Sequence, residues 1–290
     1  MDNSQSLSQT EEEKIKEEII TENGNKIYII HNSSKKSVFN TTNEMVDWAW
    51  WTWNPVTGCW HGCPYCYARD IANRFYETKF EPTFYPDRLN APKNTRPFSS
   101  EKIKIEAKKR RVKLEDAQVF AKNVFTCSMA DLFGKWVPEE WILKVFDSVR
   151  SAPEWNFLFL TKFPQRLQEI NDRLGGFPAN VWVGTTVDTQ ARVALAEKSF
   201  RNIEATVKWL SIEPMLEPLQ FSSLEMFDMI AVGGQSRTSH GPEFQPEWAW
   251  VESLLLQARQ SGTSVYFKEN LRARPKEAPW QGNKLCALSS

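Results

Sequence analysis

The sequence predicts an α/β fold, with about six or seven βα units carrying a parallel sheet partway round an open, TIM-like barrel. Three observations predict it. From residue 123 to residue 267, short apolar runs alternate with amphipathic stretches, the rhythm of right-handed crossovers between parallel strands. Those runs are apolar throughout rather than at every second position, so both sheet faces should be covered. No glycine-rich dinucleotide turn or phosphate-binding loop follows any run, which leaves an open nucleotide-binding sheet without support.

Composition agrees with a single large core. The chain has 290 residues, 41% hydrophobic and 13% aromatic, enough for a barrel-sized domain. Lys plus Arg and Asp plus Glu both number 36, which removes a global pull toward nucleic acid or membrane and leaves room for local patches. Residues 1–10 are polar and lack the apolar run of a signal peptide. No stretch reaches the length of a membrane span. Of five cysteines, three share one motif, pointing to metal rather than disulfides and to a reducing, cytoplasmic setting.

Taken in order, residues 1–44 read as a polar, partly disordered extension. Within it Glu11 to Ile20 is expected as a short exposed helix and Lys26 to Ile30 as a brief strand. Its polar composition offers little to the core, so it is expected to be dispensable for cluster binding, and residues 45–270 are expected to form the barrel domain. Trp48 to Val56 is the first core strand. Tyr67 to Phe80 reads as a helix with Ile71 and Phe75 on its apolar face, and Glu81 to Pro97 as a loop. A basic insertion near 98–118 carries Lys108-Lys109-Arg110-Arg111-Val112-Lys113, which could touch phosphates or form a solvated face.

Asn123 to Thr126 is the next strand, ending at Cys127-Ser128-Met129-Ala130-Asp131. Pro138 opens a helix striped by Trp141, Ile142, Val145, Phe146 and Val149. Strands then run from Asn156 to Leu160, Val181 to Gly184, Val207 to Ile212, Met229 to Val232 and Ser264 to Phe267. Helices lie from about Pro164 to Leu174, from Thr189 toward Phe200, and from Pro246 to Gln260, where Gly262 stops the last. Residues 271–290, with Cys286, read as a loose tail.

In a barrel of parallel strands the chemistry sits at the carboxyl ends, where the loops converge. The residues there are Ser128, Asp131, Lys162, Thr185, Thr186, Glu213, Gln235, Lys268 and Glu269. Strand ends also meet solvent and helix N-caps favour Thr and Asp, which explains neighbouring Asp188 and Thr189 as caps. Lys162 and Glu213 each directly follow an apolar strand, where a partly desolvated charge needs a partner or ligand. They are the candidate catalytic residues. Gly233-Gly234 would allow close backbone approach to a ligand or simply a tight turn. Cys127 is either a hydrogen-atom donor facing the barrel or a buried structural thiol.

After the first strand comes Cys59-x3-Cys63-x2-Cys66. Three thiolates on one short loop can hold a cubane iron–sulfur cluster by three irons and leave the fourth open to a ligand, unlike four-cysteine electron-transfer clusters. A zinc site with His61 as fourth ligand is the alternative.

With Tyr65 just before the last cysteine, the motif resembles the signature of the radical SAM superfamily. That resemblance implies a partial barrel and a [4Fe–4S] cluster on Cys59, Cys63 and Cys66, with S-adenosylmethionine on the open iron. It also implies a 5′-deoxyadenosyl radical and a reductant such as flavodoxin or ferredoxin. Tyr65, Ser128, Asp131, Thr185, Gly233 and Gly234 would then surround the cofactor. The superfamily's glycine-rich motif after the second strand is replaced here by Ser128-Met129-Ala130-Asp131.

A wider resemblance runs from about residue 47 to 270. It is carried by Trp53-Asn54-Pro55-Val56-Thr57-Gly58-Cys59, Ser128 to Phe133, Leu160-Thr161-Lys162, Leu210-Ser211-Ile212-Glu213-Pro214 and Val232-Gly233-Gly234-Gln235-Ser236. These segments look like a phage- and prophage-associated family of small radical-SAM-like proteins without an assigned substrate, an association that implies a nucleic-acid-related one. Many members space the first two cysteines farther apart, and the extension and basic insertion have no counterpart in that pattern. The competing function is a non-catalytic zinc- or iron–sulfur-binding protein that binds nucleic acid or a protein partner.

Overall fold

A computed structural model describes residues 14–32, 37–43, 46 and 48–273. The chain opens with β1 (Lys14–Ile20) and β2 (Lys26–Asn32), paired antiparallel around a turn at Gly24. The helix expected over Glu11 to Ile20 is therefore a strand from Lys14 on. Ile15, Ile19 and Ile20 are not placed on a helical stripe but stand along a strand of a small, half-exposed sheet. Residues 1–13 lie outside the described part.

Next come β3 (Asn40–Thr41) and β4 (Trp51–Trp53), then β5 (Val56–Thr57), α1 (Tyr67–Phe75) and β6 (Thr83–Phe84). The single strand expected from Trp48 to Val56 is thus two, broken at Asn54-Pro55, where proline cannot donate to a ladder. β5 and β6 join β2 and β1 in a four-stranded sheet. A 3-10 turn at Pro86–Asn90, α2 (Ala91–Asn94), α3 (Ser100–Arg110) and α4 (Leu114–Phe120) follow, so the segment expected as a loop holds a strand and two short helical turns.

The basic insertion is pinned inward at one point. The Arg110 guanidinium donates to the carbonyls of Thr42 (2.6 Å), Asn43 (2.8 Å) and Val46 (3.0 Å) and pairs with Glu106. Inside the basic run, Arg110 is a buried brace rather than a phosphate contact.

From there the chain is regular: β7 (Asn123–Thr126), α5 (Glu139–Arg150), β8 (Asn156–Thr161), α6 (Gln165–Leu174), β9 (Val181–Thr186), α7 (Gln190–Phe200), β10 (Val207–Ile212), β11 (Met229–Val232), α8 (Trp248–Ser261) and β12 (Ser264–Phe267). β4, β7, β8, β9, β10, β11 and β12 lie side by side in sequence order, all parallel, with β3 antiparallel at the edge. The fold is α/β with a parallel sheet. Between β10 and β11 the crossover is an irregular segment rather than a helix.

Both faces are covered, and alternation along each strand divides them. Phe157 and Phe159 of β8 face outward, where Phe159 stacks on Phe146 of α5 at 5.1 Å. Leu158 and Leu160 face the other way, into a cavity that alternate residues of all seven parallel strands line. Among the described residues no helix is long and apolar enough to cross a membrane.

The polar extension contributes to this core. Ile27 belongs to the main core, and Phe39, 4% exposed, packs its ring against Trp51, Trp53, Trp155 and Phe157 at 5.1–6.3 Å. Phe39→Ala is expected to cost about 3–5 kcal/mol, the usual range for a buried aromatic. The urea midpoint should fall accordingly. A wild-type midpoint would restore residues up to 44 as dispensable.

Candidate active site at the carboxyl ends of the strands

The cysteine loop hangs between β5 and α1, held at its start by backbone. Gly58 N–H donates to the Met129 carbonyl (2.9 Å) and Cys59 N–H to that of Phe80 (3.0 Å). Gly58 has φ +87°, and a Cβ there would lie 2.1 Å from the Glu81 carbonyl oxygen. Glycine is required there both for its φ and for the close approach.

Cys59, Cys63 and Cys66 all line one cavity of about 570 Å³, as does Cys127; none of the four is in a disulfide. Burial pushes the Cys59 thiol upward, with Asp131 and the other two thiols adding to it, and burial raises Cys66. A thiolate is disfavoured there on its own and would be favoured by a cationic metal centre. Among the described residues no group of three or more His, Cys, Asp or Glu side chains is already arranged to hold a metal ion. The three loop thiols are the candidate ligands by chemistry and common placement.

Asp131 ties this loop to the sheet. It is 5% exposed. Oδ1 accepts from Thr161 Oγ1 (2.7 Å) and Phe133 N–H (3.1 Å), and Oδ2 from Lys162 N–H (2.8 Å) and His61 Nε2 (3.0 Å). His61 also stacks on Phe163 at 4.4 Å. Its acceptors engaged, Asp131 serves as a brace, although it borders the cavity.

Other residues expected at the mouth divide in the same way. Ser128 Oγ bonds Thr52 Oγ1 (2.8 Å) and Asn54 Oδ1 (3.2 Å). Thr185 turns away from the cavity, donating to the Thr161 carbonyl (2.9 Å), while Thr186 lines it. Asp188 caps no helix through its side chain; it accepts from the Tyr65 hydroxyl and pairs with Arg192 (2.9 Å). Tyr65 is thereby fixed, and burial together with Asp188 raises its hydroxyl pKa. Lys162 Nζ lies 5.2 Å over the Tyr65 ring, and no carboxylate among the described residues is within ion-pair reach of it.

Glu213 is held by Lys268 (2.5 Å) and Asn270 Nδ2 (2.8 Å). Gly233 and Gly234 make close approaches, but to this chain's own side chains. A Cβ on Gly233 would lie 2.8 Å from Asn270 Oδ1, and one on Gly234 2.2 Å from Gln245 Nε2. Gly234, Gln235, Lys268 and Glu269 line the cavity. Cys127, at φ +56°, is buried there with its thiol pushed up to about 12, chiefly by burial.

The loop after β11 folds over the cysteines. Thr238 Oγ1 donates to the Pro64 carbonyl (3.1 Å), and Ser239 donates through N–H (2.7 Å) and Oγ (2.5 Å) to Asp70. α1 buries Ala68 and Ala72 instead of the expected stripe. Ile71 stands partly exposed at the edge of the cavity, and Phe75 is 67% exposed.

Sequence reasoning missed Trp48, Phe125, Trp182, Trp209 and Tyr266, the aromatic walls deeper in the cavity. For Phe125, Trp182, Trp209 and Tyr266, which lie on strands, parity gives the signal only once one residue of the strand is known to face inward. Gly184 is a second sign, since a Cβ there would meet the Trp209 indole at 2.5 Å.

Residues 43–282 match the family described as "Protein of unknown function (DUF5131)". No curated protein sequence matches the chain. Among solved structures, a mutant of spore photoproduct lyase is similar at 10% identity and a TM-score of 0.42, over 83% of this chain and 82% of that one. That likeness is too low to carry chemistry across.

Proposed function

We propose that this chain, which belongs to the DUF5131 family, is a radical SAM enzyme built on an open barrel, with a [4Fe–4S] cluster on Cys59, Cys63 and Cys66. One observation carries the reading. Three thiols of a single loop, spaced as in the superfamily signature, line a cavity walled by seven sequentially ordered parallel strands. When bound, cluster and S-adenosylmethionine supply a one-electron cleavage to methionine and a 5′-deoxyadenosyl radical, the electron coming from a flavodoxin- or ferredoxin-type donor.

The chain's own residues bind and orient. Lys162 offers a cation at the mouth, suited to a carboxylate or phosphate, and the Tyr65 ring beneath it is fixed through Asp188 and Arg192. Glu213 presents a carboxylate whose direction Lys268 and Asn270 set. Thr238 and Ser239 close the loop over the cysteines, which keeps bulk water from reactive intermediates.

A second reading has its own support. A carboxylate that orients an imidazole, as Asp131 does His61, is also the pattern behind zinc-bound histidine. Zinc on three thiols and His61 Nδ1 would make the chain a structural metal protein.

Anaerobic reconstitution separates the two. The enzyme reading expects about four irons and matching sulfide per chain, and dithionite-dependent release of 5′-deoxyadenosine. A colourless protein with one tightly held zinc, inert toward S-adenosylmethionine, would overturn it.

A further inference from the structure

Cys63 and Cys66 stand apart from the other cysteines because one turn joins them. Pro64 and Tyr65 are its central residues, and the Cys66 N–H closes it on the Cys63 carbonyl at 3.3 Å. Proline is favoured at the first central position of such a turn, and the turn brings its end Cα atoms within about 7 Å. A disulfide spans about 4.4–6.8 Å between Cα atoms. The stretch that suits a metal loop therefore also suits a two-cysteine redox couple.

Protein groups alone clamp this turn. The Arg69 guanidinium donates to the Cys63 carbonyl (2.6 Å), and Thr238 Oγ1 to the Pro64 carbonyl (3.1 Å). α1 starts directly after Cys66, its N-cap residue. Both thiols line the cavity, and neither cysteine is fully buried. The other two described cysteines are set differently. Cys59 is tied through its N–H to the Phe80 carbonyl (3.0 Å), and Cys127 is buried just past the end of β7.

We propose that Cys63 and Cys66 are a reversible dithiol–disulfide couple, oxidised by a low-molecular-weight disulfide, and that this couple controls whether the loop takes up metal. The thiolate of one cysteine attacks the S–S bond of the reagent, forming a mixed disulfide and expelling one thiolate. The thiolate of the other cysteine attacks the protein sulfur of that mixed disulfide and expels the second. The two protons given up by the cysteines pass to the expelled thiolates. The protein loses two electrons, and the reagent gains them as two thiols. The pre-formed turn makes the second step intramolecular, which keeps the mixed disulfide short-lived. Thiolate is the form that binds metal, and the disulfide removes two of the three that the loop offers. The control rests on reading the loop as a metal site and holds for a cluster and for zinc alike.

The test uses the full chain, cleared of metal with a chelator and exposed anaerobically to glutathione disulfide, with the bridge mapped by mass spectrometry. A bridge between Cys63 and Cys66 should form and be reversed by dithiothreitol. Cys59→Ser should still form it. Cys63→Ser and Cys66→Ser should instead keep glutathione on the remaining cysteine of the pair. The oxidised chain should take up neither iron with sulfide nor zinc, and reduction should restore uptake.

Thiols that stay free, a bridge that reaches Cys59, Cys127 or Cys286, or an oxidised chain that loads metal as well as the reduced one would each overturn the proposal. A reduced chain that binds neither metal would overturn the reading of the loop as a metal site, while the redox couple still stands or falls on the mapped bridge. None of these readouts depends on cleavage of S-adenosylmethionine, so failure here and failure of the enzyme reading are distinguishable.

Discussion

Replacing any one of Cys59, Cys63 and Cys66 with Ala is expected to abolish release of 5′-deoxyadenosine and leave the reconstituted protein short of iron. On the proposed reading, the three thiolates are the whole ligand set. Two cannot hold three irons of a cubane, and no described cysteine other than Cys127 lies nearby to replace the third. The loss should be one of metal, not of fold. The cysteine loop is tied down through Gly58, the Cys59 backbone and Pro64 rather than through its sulfurs, so the apo variants should melt with apo wild type. Cys286→Ala, outside the described residues, should retain both iron and activity. Iron and sulfide analysis beside product chromatography reads both outcomes. Full iron with normal cleavage in any of the three variants would remove that cysteine from the ligand set and the cluster assignment with it.

Much of this was legible in the sequence because one physical signal governed it. From Asn123 to Phe267 the strands are apolar runs, most of them separated by amphipathic stretches, and the structure returns those strands within a residue or two. Where the signal was weak, tertiary context decided. Lys14–Ile20 alternates charge with isoleucine too irregularly to declare a strand, and becomes one because β2 offers an edge. Ile71 and Phe75 are spaced like a buried stripe, yet small Ala68 and Ala72 let α1 pack closely on the cysteine loop from its other side. The mouth was legible as a set of polar strand ends. Which members face the cavity was not, because Thr185 and Thr186 differ only in parity. The division of labour was equally hidden. Asp131 and Ser128 look like ligands in sequence, and each turns out to be engaged with its own chain.

The brace at Asp131 carries the second large effect. Its carboxylate receives two backbone N–H groups, one hydroxyl and the His61 ring, drawn from β8, the segment after β7 and the cysteine loop. Asp131→Ala would strand those largely buried donors, at about 1–3 kcal/mol for each one left unmade. Relaxation makes such losses less than additive, so the expected destabilisation is about 3–5 kcal/mol, seen as a lowered urea midpoint. Asp131→Asn keeps the shape but turns one acceptor into a donor facing donors, and should fall between wild type and Ala. Iron content should drop along with stability, because His61 sits between Cys59 and Cys63 and loses its anchor. The order of effects distinguishes a brace from a ligand. A brace lowers the midpoint of the apo protein, before any metal is added. If apo Asp131→Ala melted with wild type and lost only iron, Asp131 would be acting on the metal group itself.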